Sequence, residues 1–296
     1  MSDVGGDGER GVVTRTGTGP RHVAPRRYDR FLTTRGGILV RKGVLLLLMV
    51  LAVAVTASSA NAITYGTPTV GDQYSYVGGL VTTSTRTGEQ YVYCTGTLIS
   101  PTVFLTAAHC DISDTTGTDQ ACVTFDRTLT DRSKLYCGSF IASPYYTHRQ
   151  NDPNDIAVIV FEKPIRSVGT ATVVDEVGYL DRLFAEGKLN QSSKFISVGY
   201  GGTEFTNAPG GATAQYLDTR MYATGTFNAL GPGYIRISQN PATGDAGTCY
   251  GDSGGPQFLD GVLVSITVTG DVLCKSSNVV QRLDTELAQL FLSEYL

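Results

Sequence analysis

Apolar residues along this chain come in short runs broken by Gly, Pro, Asn and Thr. "YVGGLVTT" (76–83), "TGTLIS" (95–100), "VFLTAA" (103–108), "DIAVIVF" (155–161), "KFISVGYG" (194–201), "YIRIS" (234–238) and "GVLVSITV" (261–268) all have strand length. Such runs, closed off by turn residues, predict an all-β barrel or sandwich. Helical periodicity is confined to the end of the chain, where Leu283, Leu287, Leu290 and Phe291 recur on one face. With Asp284 and Thr285 at its start, residues 284–296 are predicted as a C-terminal helix whose apolar stripe packs on the core. No internal repeat interrupts this pattern.

Residues 1–62 are different in kind. They hold nine Lys/Arg against four Asp/Glu, whereas 63–296 holds fourteen against twenty-three. A body this acidic has no electrostatic footprint for nucleic acid or an anionic membrane. Arg41 and Lys42 precede the apolar run "VLLLLMVLAVAV" (44–55), and "ANA" (60–62) supplies small residues at a cleavage site. This order is that of a secretory signal peptide, cleaved after Ala62. The run is short for a membrane span, so contact with the membrane is expected only during export. An uncleaved anchor is the rival. Twin-arginine export through Arg26-Arg27 is set aside, because Phe31-Leu32 and the apolar run lie too far along. The first 40 residues are polar and are expected to be unstructured.

Export places the chain in an oxidising compartment. All six cysteines, Cys94, Cys110, Cys122, Cys137, Cys249 and Cys274, follow the signal segment and are read as disulfides, for which fifteen connectivities exist. No CxxC or His-rich cluster points to zinc. Asp111, Asp114 and Asp119 lack the spacing of a calcium loop and are read as an exposed acidic turn. No metal or cofactor is expected.

The densest chemistry lies in "GTCYGDSGGP" (247–256). Ser253 stands among glycines, which permit a tight turn with N–H groups facing outward, the geometry of an oxyanion hole. A plain Gly-rich turn is the alternative. A serine nucleophile needs a base oriented by a third group. Only His109 and His148 lie in the exported part, and both precede Ser253. The order Ser, acid, His is therefore absent. The order Asp, His, Ser belongs to an α/β fold unlike this strand-rich chain, and His, Asp, Ser survives. His109, in "LTAAHC", follows a strand and adjoins a cysteine; His148 lies in a polar loop. Asp155, at the mouth of "DIAVIVF", is a carboxylate that needs a partner once buried, and Asp126, Asp131 and Asp175 are less constrained rivals.

"LTAAHC", "NDIAVI" and "GDSGGP" resemble the three catalytic blocks of trypsin/chymotrypsin-like serine proteases, here in a secreted, bacterial-like form. They stand in that family's order, with His109 and Asp155 46 residues apart and Asp155 and Ser253 98 apart. "CTGTLISPTVFLTAAHC" extends the likeness, "GYG" (199–201) is similar to the family's Gly-Trp-Gly turn, and Ser265-Ile266-Thr267 to its Ser-Trp-Gly strand. The resemblance implies two antiparallel six-stranded β-barrels, 63–168 and 169–283, followed by the helix. It implies that Ser253 attacks a peptide carbonyl, His109 carries the proton and Asp155 steadies the imidazole. It also implies that the N–H groups of Gly251 and Ser253 form the oxyanion hole, and that Ser265 supports the buried Asp155. Ile63, freed by signal cleavage, is expected to pair its ammonium with Asp252. The resemblance implies disulfides Cys94–Cys110 and Cys249–Cys274, leaving Cys122 and Cys137 to each other, a pair that matches none common to the family.

Specificity is expected from a pocket of Gly247, Thr248, Ser265, Thr267 and Asn278. Gly247 stands where trypsin-type enzymes carry Asp, so small to medium apolar residues are expected before the cut. A displaced carboxylate, Asp245 or Asp271, would instead favour Arg or Lys. Ile266 replaces the family's Trp, and the chain has none, so the outer subsites are expected to be less aromatic. Polypeptide substrates, protein protease inhibitors and a monomeric state are the partner expectations. An inactive homologue that only binds and an esterase using the same triad are the rival functions.

Overall fold

The computed structural model describes residues 63–149, 153–203, 205–208 and 211–296. The segment expected to be a signal peptide, residues up to Ala62, lies outside them. Among the described residues no helix is long and apolar enough to cross a membrane.

The strands, in chain order, are β1 (Thr67–Pro68), β2 (Val77–Thr83), β3 (Gln90–Ser100), β4 (Val103–Thr106), β5 (Gln120–Thr124), β6 (Leu135–Ala142) and β7 (Ala157–Val160). They continue with β8 (Lys194–Gly199), β9 (Thr206–Ala208), β10 (Gly211–Thr213), β11 (Met221–Leu230), β12 (Tyr234–Ser238), β13 (Pro256–Leu259), β14 (Val262–Gly270) and β15 (Ser277–Arg282). The order β2-β3-β4-β7-β6-β5 closes one antiparallel barrel, and β8-β11-β12-β15-β14-β13 closes a second through β8–β13 pairing. Two six-stranded barrels result, with no free edge in either ring.

Each barrel is filled by its inward-facing residues. Of the first barrel's residues Leu80, Leu98, Phe104, Leu105, Val158 and Ile159 have no exposed surface, and of the second's Phe195, Val198, Ile235, Leu263 and Val280 have none. A side chain at Gly96 would lie 2.4 Å from the Leu105 carbonyl, so only glycine lets β3 approach β4 there. Between the barrels Tyr74 stacks on Phe258 at 5.8 Å, and Tyr76 meets the same ring edge-on at 6.0 Å. The apolar core runs unbroken from one barrel into the other.

Three disulfides join Cys94 to Cys110, Cys122 to Cys137 and Cys249 to Cys274. Cys122 and Cys137 stand directly opposite each other on β5 and β6.

Several expectations need correction. The first residues of the body do not join the first barrel: β1 pairs with β11, Thr64 bridges Gly247, and Ile63 packs on Met221 and Ala223 of the second. Of the barrel strands, β5, β6, β11, β13 and β15 were not legible as apolar runs. β11, "MYATGTFNAL", alternates buried and half-buried along most of its length, but its inward positions include Ala223 and Gly225, too small to register as hydrophobic. The helix α1 (Ser113–Thr116) buries nothing, and α2 (Tyr179–Ala185) buries only Leu180, so neither carries an apolar period.

The C-terminal helix α3 spans Glu286–Leu292, with Thr285 as its N-cap accepting from Ala288 N at 3.3 Å. Its buried face is Ala288, Phe291 and Leu292, whereas Leu287 and Leu290 are exposed. Leu283 precedes the helix and so does not set its phase. Asp284, expected at the helix start, is fully buried instead. It accepts from Arg282 Nε and Nη2, both at 2.8 Å, and its Oδ2 caps α2 by accepting from Leu180 N at 2.8 Å. That remote carboxylate explains how α2 begins after Gly178 without a local capping side chain.

Candidate active site

The register between β4 and β7 sets the site. Thr106 faces Ala157 across the first barrel. His109, three residues beyond Thr106, and Asp155, two before Ala157, therefore emerge side by side at one end of the strand pair. His109 sits in a single 3₁₀ turn, Ala108–Cys110, pinned below by buried Ala108 and by the Cys94–Cys110 bridge to β3. Asp155 is buried and both its oxygens serve His109: Oδ1 accepts from the backbone N at 2.9 Å, and Oδ2 meets Nδ1 at 2.6 Å. With Nδ1–H held this way, Nε2 is left as the acceptor.

Ser253 comes from the second barrel, on the turn before β13. Its carbonyl accepts from Thr95 N of β3 at 2.8 Å, which fastens the turn to the first barrel. His109 and Ser253 both line one cleft of about 640 Å3, with Gly251 and Thr248 beside them. Gly251 has φ +97°, which a side chain would strain. The Tyr250 carbonyl accepts from Gly202 N at 2.8 Å, and the Asp252 carbonyl from Gly255 N at 2.8 Å. In a trans peptide the N–H points opposite to the C=O. The N–H groups of Gly251 and Ser253 are thus turned away from these inner bonds, and neither donates among the described residues.

Asp252 is fully buried. Its Oδ1 accepts from Gly201 N and its Oδ2 from Cys249 N, both at 2.8 Å. Burial pushes its carboxyl up to about 7, against the lowering effect of those two N–H groups. Ile63 is also buried, and its N donates to the Gly201 carbonyl at 3.3 Å.

The pocket residues divide. Thr248 and Thr267 reach the cleft; Gly247, Ser265 and Asn278 lie behind it and do not line it. At Gly247 the reason is Gln239, which sequence reading passed over because "SQNPATG" carries no catalytic signature. A side chain on Gly247 would meet Gln239 Oε1 at 2.4 Å. Gln239 is 1% exposed; its Oε1 accepts from Thr248 N at 3.0 Å and its Nε2 donates to Asp271 at 3.3 Å. The support expected from Ser265 is also corrected: its hydroxyl is buried without a partner, as are both amide atoms of Asn278. Both oxygens of Asp155 already bond to His109, and neither takes a bond from Ser265.

The two displaced carboxylates separate clearly. Asp245 is buried outside the cleft, bound by Lys194 Nζ at 3.1 Å and Thr243 Oγ1 at 2.9 Å. Asp271 lines the cleft. Its burial opposes ionisation, but the N–H groups of Lys275, Ser277 and Ser276 and the Gln239 amide hold its carboxyl below the ordinary range. Four tyrosines, Tyr91, Tyr93, Tyr216 and Tyr250, line the cleft, an aromatic lining that the lack of Trp did not foretell. Asp218 lines it as well, with Oδ1 accepting from Val92 N at 3.0 Å and its carboxyl raised by burial. His148, with φ +61°, packs its ring on Tyr146 at 4.6 Å and is not on the cleft. Among the described residues the one cluster at metal-ligand distances is Cys94, His109 and Cys110, whose sulfurs are spent in a disulfide.

Two closed barrels with a cleft running between them define the chymotrypsin-like fold. Residues 63–287 match the family model described as Trypsin, and the chain belongs to that family of serine endopeptidases. Kallikrein 1-related peptidase b27 of Mus musculus is 26% identical over 204 residues, covering 62% of this chain and 73% of its own length. Trypsin of Saccharopolyspora erythraea is 25% identical over 199 residues, covering 63% and 78%. Trypsin-3 of Salmo salar is 27% identical over 195 residues, covering 61% and 73%. A solved structure described as neuropsin, a serine protease expressed in the limbic system of mouse brain, superposes with a TM-score of 0.57. It shares 20% identity, covers 75% of this chain and 95% of that one, and speaks to the fold alone.

Proposed function

We propose that the chain is an exported endopeptidase that cuts peptide bonds through an acyl-enzyme on Ser253. The observation that carries this reading is the double contact of Asp155 with His109 in the cleft that also holds Ser253. Ser253 Oγ attacks the carbonyl while His109 Nε2 takes its proton and later returns it to the leaving amine. Asp155 stabilises the imidazolium. The free N–H groups of Gly251 and Ser253 receive the developing oxyanion. A sulfonyl fluoride label should map to Ser253 by mass; a label on any other serine, or none, overturns the assignment.

The mature enzyme begins at Ile63. Supporting this are the depth of Ile63, its bond to Gly201, and, among the described residues, the lack of a cation paired with the buried Asp252, which bonds the same Gly201. An ammonium at Ile63 would neutralise that carboxylate. The export route, a monomeric state and control by protein inhibitors belong to this same reading.

For the residue before the cut, the reading is small to medium apolar. Gln239 shortens the space behind Thr248 and Thr267, and Asp245 is bound elsewhere. One observation favours a second reading: Asp271, an ionised carboxylate on the cleft wall, could receive Lys or Arg.

A further inference from the structure

A second cleft, of about 630 Å3, shares no residue with the first. It lies where Gly71–Ser75, Phe125–Arg127 and Arg166–Gly169 meet Arg220, the residue before β11. Arg220 is 2% exposed. Its Nη1 donates to the carbonyls of Val77 and Phe125, both at 3.0 Å, and to Tyr200 Oη at 3.3 Å. The other edge of the guanidinium is unused. Nε is buried with no partner, and Nη2 donates to no protein atom among the described residues. No described carboxylate forms an ion pair with Arg220.

A buried cation without a counter-charge is costly, and a fold tolerates it where something else supplies the charge. The Nε/Nη2 edge is a fork that matches two oxygens of one anion. Two more exposed arginines, Arg127 and Arg166, line the same cleft, and Arg127 Nη1 also donates to the Thr69 carbonyl at 3.3 Å. Asp72 and Asp126 also line it, both exposed and neither paired with these arginines; Asp126 Oδ2 accepts from Lys134 N at 3.3 Å. The cleft therefore carries three positive groups against two negative ones on an otherwise acidic body.

We propose that this cleft is a binding site for a divalent oxyanion, phosphate or sulfate, held by the Nε/Nη2 edge of Arg220 and flanked by Arg127 and Arg166. Because Arg220 ties the second barrel to Val77 and Phe125 of the first, an anion there would strengthen the seam between them. Three guanidiniums on one cleft favour two negative charges over the single charge of a carboxylate. The ligand is either the free ion or a phosphate or sulfate ester on a larger molecule.

The test is thermal unfolding of the whole chain titrated with inorganic phosphate at constant ionic strength. A saturable rise in Tm at millimolar phosphate is expected. In Arg127→Ala/Arg166→Ala, which removes two exposed side chains and the Arg127 bond to the Thr69 carbonyl, the half-saturating concentration, read from shifts relative to the variant's own Tm without phosphate, should rise about tenfold or more. Arg220→Lys, which keeps the charge and loses the fork, should weaken the response further. O-phosphoserine is the second probe: a rise matching that of phosphate means the cleft takes esters, and a rise with phosphate alone means it takes the free ion. No saturable rise in the parent chain, an unchanged response in the double variant, or an equal rise with acetate overturns the proposal.

Discussion

Asp252 and Gly201 are joined by a 2.8 Å hydrogen bond from the Gly201 N–H to the buried carboxylate, while the carbonyl of the same glycine accepts from Ile63. The start of the body and the turn that carries Ser253 thus meet at one residue of the second barrel. A carboxyl whose folded-state pKa lies above its unfolded one holds an extra proton when folded. Its contribution is full below the ordinary carboxylate range and is lost as pH rises through about 7. A chain still carrying residues before Ile63 should therefore lose Tm over that window, and Asp252→Asn should flatten the slope. A chain starting at Ile63 should not show the loss, because its ammonium pairs with the ionised form. Melting curves across pH on the two chains decide it; the same slope in the Asn variant would sink the idea.

The triad can be tested against its bystanders. Ser253→Ala should lower kcat roughly 10⁶-fold and Asp155→Asn roughly 10⁴-fold, as in other serine proteases. His148→Ala should leave kcat unchanged, since its ring rests on Tyr146 away from the cleft. Steady-state kinetics on folded variants check this. Loss in His148→Ala with activity kept in His109→Ala would reverse the assignment.

Gln239 and Asp271 determine the next prediction. A panel of peptide anilides differing only before the cut should favour Ala, Val and Leu, and spread over about 1–3 kcal/mol per methylene. Gln239→Ala should open the space beside Gly247 and move the preference toward larger side chains. If Arg or Lys leads by about a hundredfold or more, and Asp271→Asn abolishes that lead, the second reading of the pocket is the correct one.

Stability should be concentrated at the Arg282–Asp284 pair. Asp284→Ala leaves Arg282 buried beside the exposed Asp181 alone and removes the cap on Leu180. A cost of about 3–5 kcal/mol is expected. Asp284→Asn can still accept from Leu180 N and should cost less. Denaturant titration ranks the two, and equal effects would mean the cap contributes little.

The sequence by itself carried much of this protein. Strand-length runs ended by Gly and Pro marked an all-β chain, because a barrel strand needs only local alternation and turn chemistry. The three blocks around His109, Asp155 and Ser253 were legible because each is a short local motif and together they stand in the order of the family that the chain resembles. What only the tertiary structure decided were relations between distant segments. β11 was hidden because two of its buried positions, Ala223 and Gly225, are small, and α3 turned Ala288 rather than Leu287 to the core because the contact surface sets the helix phase. Asp284, expected at the head of its own helix, became the cap of another, 104 residues back along the chain, since a buried carboxylate goes where donors are unpaired. Gln239 fills the space beside Gly247, and Arg220 stands buried without a counter-ion among the described residues, because residues far apart in the chain meet there and no local pattern encodes their meeting.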